Sequence, residues 1–169
     1  MRSLRRSKHS LTRTRVLVAR SALAAMEREA DARRPLETGG MLLGYIAPKE
    51  GVETVVIEVV LGPGPEAVHS THCFEPDDDW QQRELAEAYA TSGRVTTYLG
   101  DWHTHPSGTT TPSRRDLRTA RSIARTRGAR APRPLMMILA PGSDGWNAAS
   151  FRYERGALVE VAAQVLDAT

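Results

Sequence analysis

The sequence predicts one domain of the α/β (α+β) class, a β-sheet layered with helices. Three observations predict it. Runs rich in Val and Ile alternate with segments rich in Ala, Leu, Glu and Arg. Breakers containing Pro or Gly separate these runs, and hairpin-like neighbours stand near both ends of the chain. The chain of 169 residues suits a single domain, and it can bury a sizeable core without disulfides or a structural metal.

In chain order, residues 1–12 read as a flexible basic segment and 13–169 as the domain. Arg15 to Ala19 is β-branched and apolar, a strand. Ser21 is placed to cap a helix running to about Ala32, rich in strong helix formers and ended by Pro35. Met41 to Ile46 reads as a buried strand, Pro48 to Gly51 as a turn, and Val52 to Leu61 as a second strand. Gly62-Pro63-Gly64-Pro65 breaks the chain, and residues 66–76 fit no single pattern. Asp77 or Asp78 caps a helix to about Thr91, closed by Gly93. Val95 to Trp102 is a strand, and 103–112 a loop of Thr, Pro and Gly. Ser113 opens an arginine-rich helix that stops near Gly128. Leu135–Ala140, Trp146–Tyr153 and Ala157–Val165 are the closing strands.

Composition excludes several classes. The apolar fraction of 40% and charged fraction of 25% are those of an ordinary folded protein, not a disordered one. No stretch approaches the roughly 18 apolar residues of a spanning helix. The single cysteine, Cys73, cannot form an internal disulfide, and it rules out multi-cysteine zinc sites; a cytoplasmic location fits. The apolar run after the basic start is stopped by Arg20, too early for a secretory signal. The net charge of +3 is unevenly spread: residues 1–20 and 113–134 hold 15 of the 23 bases and 1 of the 20 acids. Such segments can meet nucleic acid or an acidic protein, but a solvated helix face is the simpler reading, and nucleic acid is not expected as the partner.

The informative stretch runs from Asp101 to Asp116. His103 and His105 stand at the end of a strand, where side chains at i and i+2 project to one side and can face one ion. Asp116 lies in the first turn of the following helix, and the loop can fold it back toward them. Two imidazoles and a carboxylate suit Zn²⁺, one per chain, and three protein ligands leave the fourth position for water. Glu37 precedes Gly39 and Gly40, whose bare backbone admits a substrate or a neighbouring segment. A glutamate there can take a proton from the attacking water and return it to a leaving amine. Ser113 can donate to an oxyanion, and Ser113-x-x-Asp116 is also a helix capping box. Trp102 reads as core. His69, His72 and Cys73 form a second cluster, read as structural rather than metal-binding; Phe74 to Asp77 is expected to border the substrate groove.

Glu37, then His103-Thr104-His105, seven residues, Ser113, two residues and Asp116 together resemble the JAMM (MPN-plus) zinc peptidases in order, spacing and residue type. The resemblance spans about residues 15–165. It implies the cytidine-deaminase-like JAMM fold with a mixed curved sheet. It also implies zinc on His103, His105 and Asp116, Glu37 as general acid/base, Ser113 as oxyanion stabiliser, and a substrate path past Gly39, Gly40 and Trp102. The implied substrate is the C-terminal tail of a ubiquitin-like modifier, with its conjugates and E1/E2-like enzymes as partners. The G-D-W-H-T-H-P form is similar to bacterial single-domain members. Two other readings stand beside this one. The same run resembles the RadC-like branch linked with DNA metabolism, although that branch normally has H-N-H and no helix-hairpin-helix-like region precedes the domain here. Release of an amino acid from a sulfur-carrier protein tail would use the same chemistry.

Overall fold

The structure is a computed structural model that describes residues 13–49 and 51–167; the basic segment 1–12 lies outside the described residues. Ten strands and three α-helices follow in the order β1 (Arg13–Ala19), α1 (Arg20–Arg33), β2 (Gly39–Lys49), β3 (Val52–Val60), β4 (Val68–His69), β5 (Phe74–Glu75), α2 (Asp78–Thr91), β6 (Thr97–Thr104), α3 (Arg114–Arg125), β7 (Leu135–Gly142), β8 (Gly145–Glu154), β9 (Ala157–Val161) and β10 (Ala163–Leu166). A short 3-10 turn, Arg127–Ala129, follows α3. Eight strands form one mixed sheet in the order β10-β1-β3-β2-β6-β7-β8-β9, and β4 and β5 form a separate small hairpin.

The sheet is curved and nearly closed. The segment from Ala157 to Val165, expected as one strand, is divided between two: β9 pairs antiparallel with β8 at one end, and β10 pairs parallel with β1 at the other. The chain changes partner at Ala162, whose carbonyl accepts from the Val16 N–H at 3.3 Å.

Both faces of the sheet are covered, so apolar residues alternate between two cores. On one face Val16, Val18, Leu42, Ile57, Trp102, Met137 and Leu139 pack with Met26 of α1. On the other, Met136, Ile138 and Phe151 meet Ala120 of α3. Met41 and Leu43 on that side meet Trp80 and Leu85 of α2. At one end of the first core, Arg152 is buried and its guanidinium bonds Glu53, which also takes Arg133.

Three local expectations are corrected. Ser21 does not cap α1: the helix leaves β1 directly, with Ala19 at the N-cap and no side-chain cap bond. Strand β6 does not stop at Trp102 but continues through His103 and Thr104, because β2 and β7 pair with it on either side. The arginine-rich helix ends at Arg125, before the 3-10 turn. Asp77 is the cap of α2 as expected, accepting from the Trp80 N–H at 3.0 Å. No helix among the described residues is long and apolar enough to cross a membrane.

Candidate metal centre and active site

The extension of β6 sets the geometry of the histidines. His103 is still a strand residue, opposite Gly39 on β2 and beside Ile138 on β7. His105 follows as the chain leaves the sheet, its N–H held by the Leu139 carbonyl at 2.8 Å. The two imidazoles converge, with their Nε2 atoms 3.1 Å apart. Asp116 is brought in by the N-terminus of α3, where the expected capping box forms: Ser113 Oγ accepts from the Asp116 N–H and the Ser113 N–H donates to Asp116 Oδ2. Asp116 Oδ1 lies 3.3 Å from His103 Nε2 and Oδ2 lies 3.5 Å from His105 Nε2.

These spacings fit an ion. One ligand atom from each of the three side chains lies within 4.8 Å of the others, and the Nε2–Nε2 separation is near the edge of about 3.3 Å that ligand bonds of about 2.0–2.1 Å at tetrahedral angles give. The outer nitrogen of His105 fits as well. His105 Nδ1 lies 2.8 Å from the Thr109 carbonyl, which can only accept, so Nδ1 carries the proton and Nε2 presents a lone pair. Burial opposes ionisation of Asp116, but the His103 and His105 rings and the Ser113 N–H hold its carboxyl well below the usual range. The Asp116 carboxylate in turn raises the His105 imidazole. Among the described residues, this is the group of three His, Cys, Asp or Glu side chains placed to hold a metal.

Glu37 sits in the short link between α1 and β2 and lines the same cavity of about 310 Å³ as His103, Asp116, Arg115, Cys73 and Phe74. Burial raises its carboxyl above the ordinary glutamate range, while the nearby imidazoles pull it back. Its main chain is gripped on one side by the small hairpin: its N–H donates to the Ser70 carbonyl at 2.7 Å and its carbonyl is 2.8 Å from His69 Nδ1. One residue later, Thr38 is tied to Thr104, the residue between the two histidines.

The glycine pair admits the chain itself. A Cβ on Gly39 would lie 2.3 Å from the Trp102 carbonyl oxygen and 2.6 Å from the Phe74 ring; one on Gly40 would lie 2.0 Å from the Leu61 carbonyl oxygen. Gly40 and Trp102 also form part of the cavity wall. The Trp102 indole is core, its N–H donating to the Leu61 carbonyl at 2.9 Å. Ser113 is exposed and lies beside the cavity through Asp116 rather than in its lining, its oxygen engaged as an acceptor and its proton left to donate.

The second cluster does not assemble as a metal site. His69 faces Glu37, His72 is exposed against Thr71, and Cys73 bonds Ser70. Phe74 and Pro76 line the cavity, at the border expected for that stretch. Two features had no clear signal in the sequence: the Thr38–Thr104 tie, and a deep pair in which the Tyr98 hydroxyl donates to Asp101 at 2.7 Å. Burial lifts the Asp101 carboxyl to about 6, and the tyrosine hydrogen bond and His103 pull it down. On the outer side of α3, Arg114, Arg118, Arg121 and Arg125 are exposed and follow one another at i, i+4, i+7 and i+11.

Known proteins are similar to this chain. The family described as prokaryotic homologs of the JAB domain matches residues 19–153. A probable metalloprotease, y4qB, of Sinorhizobium fredii is 40% identical over 132 residues, which cover 78% of this chain and 79% of that protein. A CD-NTase/cGAS isopeptidase of Escherichia coli is 28% identical over 110 residues, 65% of either chain. The solution structure of protein DSY2949 from Desulfitobacterium hafniense shares the fold, with a TM-score of 0.66 at 18% identity over 90% of this chain and 94% of that one. The chain therefore belongs to the prokaryotic JAB-domain branch of the JAMM/MPN family, and it is a metallopeptidase of that class.

Proposed function

We propose that this peptidase is a zinc-dependent isopeptidase that cuts after the C-terminal tail of a ubiquitin-like modifier, in deconjugation or in precursor maturation. The observation that carries the reading is the placement of Glu37 on the same cavity as His103 and Asp116, which converge with His105. The relatives named isopeptidases support a protein conjugate as the substrate. Zinc on these three side chains would polarise the scissile carbonyl and lower the pKa of a water.

The chain's own groups do the rest. The Glu37 carboxylate takes a proton from the attacking water as its oxygen bonds the carbonyl carbon. The Ser113 hydroxyl, already oriented by the Asp116 N–H, donates to the carbonyl oxygen as negative charge develops there. Glu37 then passes its proton to the departing nitrogen as the C–N bond breaks, giving a carboxylate and a free amine. Gly40 and Trp102 form the wall along which the tail would run. The modifier's activating enzymes would be partners in the same pathway.

The test is cleavage of linear and isopeptide-linked fusions of ubiquitin-like proteins by zinc-loaded protein, beside Glu37→Gln. Cleavage at the modifier's terminal residue, abolished by Glu37→Gln, is expected. Equal cleavage by both proteins, or none by either across such fusions, refutes the proposal.

A further inference from the structure

We propose that His69, presented by the β4–β5 hairpin, is a positioning residue that fixes the main chain of Glu37 and so aims its carboxylate at the metal centre. The role rests on the peptidase reading of Glu37; the contact itself does not.

Glu37 lies after α1 and before β2, so neither helix nor sheet supplies partners for its backbone. Consecutive hairpin residues supply both. The Ser70 carbonyl takes the Glu37 N–H at 2.7 Å, and His69 Nδ1 stands 2.8 Å from the Glu37 carbonyl. A carbonyl only accepts, so His69 is held as the Nδ1–H tautomer. Its Nε2 is buried and has no hydrogen-bond partner among the described residues. Leaving a buried acceptor unpaired is unfavourable, and native proteins rarely do it without return. Here the return is the Nδ1–H that donates to the Glu37 carbonyl.

The ring is fixed from the side as well. His69 stacks on Phe74, with centroids 6.3 Å apart and planes 16° from parallel. Phe74 in turn abuts Gly39, two residues beyond Glu37. The hairpin, Glu37 and the start of β2 are therefore joined by a continuous set of contacts. A proton-shuttling role for His69 does not fit, because Nδ1 is committed to a carbonyl and Nε2 is shut off from solvent. Metal binding does not fit either, because His72 and Cys73 turn to other partners.

The test compares His69→Ala, His69→Asn and His69→Gln in the full chain. The Asn amide places an N–H where Nδ1–H stood, whereas Gln places it near Nε2. The first readout is the imidazole ¹⁵N–¹H spectrum of the wild type, with and without zinc. It should show His69 as the Nδ1–H form with a slowly exchanging proton. The second is cleavage of the modifier fusion. His69→Ala and His69→Gln should lose about 10- to 100-fold in kcat with KM and zinc content little changed, and His69→Asn should recover most of the loss. An Nε2–H tautomer, a change confined to KM, or an Asn variant no better than Gln overturns the role. A wild type that cuts no modifier fusion while His69 keeps its Nδ1–H form overturns the isopeptidase reading and the role with it, but not the contact.

Discussion

Thr38 and Thr104 hold each other across the start of β2 and the end of β6. The Thr38 N–H donates to Thr104 Oγ1 at 3.0 Å, and the Thr104 N–H donates to the Thr38 carbonyl at 2.8 Å. Each is fully or almost fully buried. Thr38 directly follows Glu37 and Thr104 separates the two histidines, so this reciprocal pair joins the proposed base to the metal centre. Thr38 Oγ1 continues the chain to Glu29 of α1 at 3.0 Å.

Removing the Thr104 hydroxyl strands a buried N–H. Thr104→Val, nearly the same shape, should cost about 1–3 kcal/mol in urea unfolding. Thr104→Ser, which keeps the oxygen, should cost less. Equal stability of Val variant and wild type would show that the contact carries no weight.

Gly40→Ala should be poorly tolerated, since its Cβ would fall on the Leu61 carbonyl oxygen. The strand must shift as a whole, at a cost of about 3 kcal/mol. Gly62→Ala is the control, because nothing lies near its Cβ position. Thermal melts of the two variants should differ clearly; matching melts would mean that the close approach is easily relieved.

Glu53 is the counter-charge for the buried Arg152, at 3.1 Å, and for Arg133. Burial already pushes the Arg152 pKa below its ordinary value, and Glu53 opposes that shift. Glu53→Gln leaves the guanidinium without its carboxylate and should cost about 3–5 kcal/mol. A loss under about 1 kcal/mol in denaturant titration would contradict a paired, desolvated arginine.

Cys73 gives a pH-dependent handle on the cavity. The Ser70 hydroxyl, 3.4 Å from its sulfur, and the Arg115 guanidinium stabilise the thiolate and lower its pKa. The reactive form therefore persists at lower pH than in an ordinary thiol. Iodoacetamide labelling should reach half its maximal rate below about pH 8.5, the value for free cysteine. Arg115→Ala should move that midpoint upward. Because Cys73 lines the cavity, the labelled protein should also lose cleavage. A midpoint at or above the free-thiol value sinks the assignment.

The convergence of the three candidate ligands was legible because H-x-H on a strand end and Asp116 in a capping box are both local patterns. The order of helices and strands was legible for the same reason. What was not legible depends on distant pairing. A loop-like sequence at His103-Thr104 becomes strand because β2 and β7 flank it. The split at Ala162 follows from the change of pairing partner from β8 to β1, which no window around residue 162 reveals. The β4–β5 hairpin has only two residues per strand, too short for alternation to show. Its His69 stood out as a residue type, but its partner lies 32 positions away.

The most direct test of the account is the zinc content of natively purified protein, measured for the wild type beside His103→Ala and Glu37→Gln. The account predicts about one zinc per chain in the wild type and in Glu37→Gln, as a three-ligand site requires, and loss of the metal in His103→Ala. Zinc retained by His103→Ala, or absent from the wild type after metal is supplied, would contradict it.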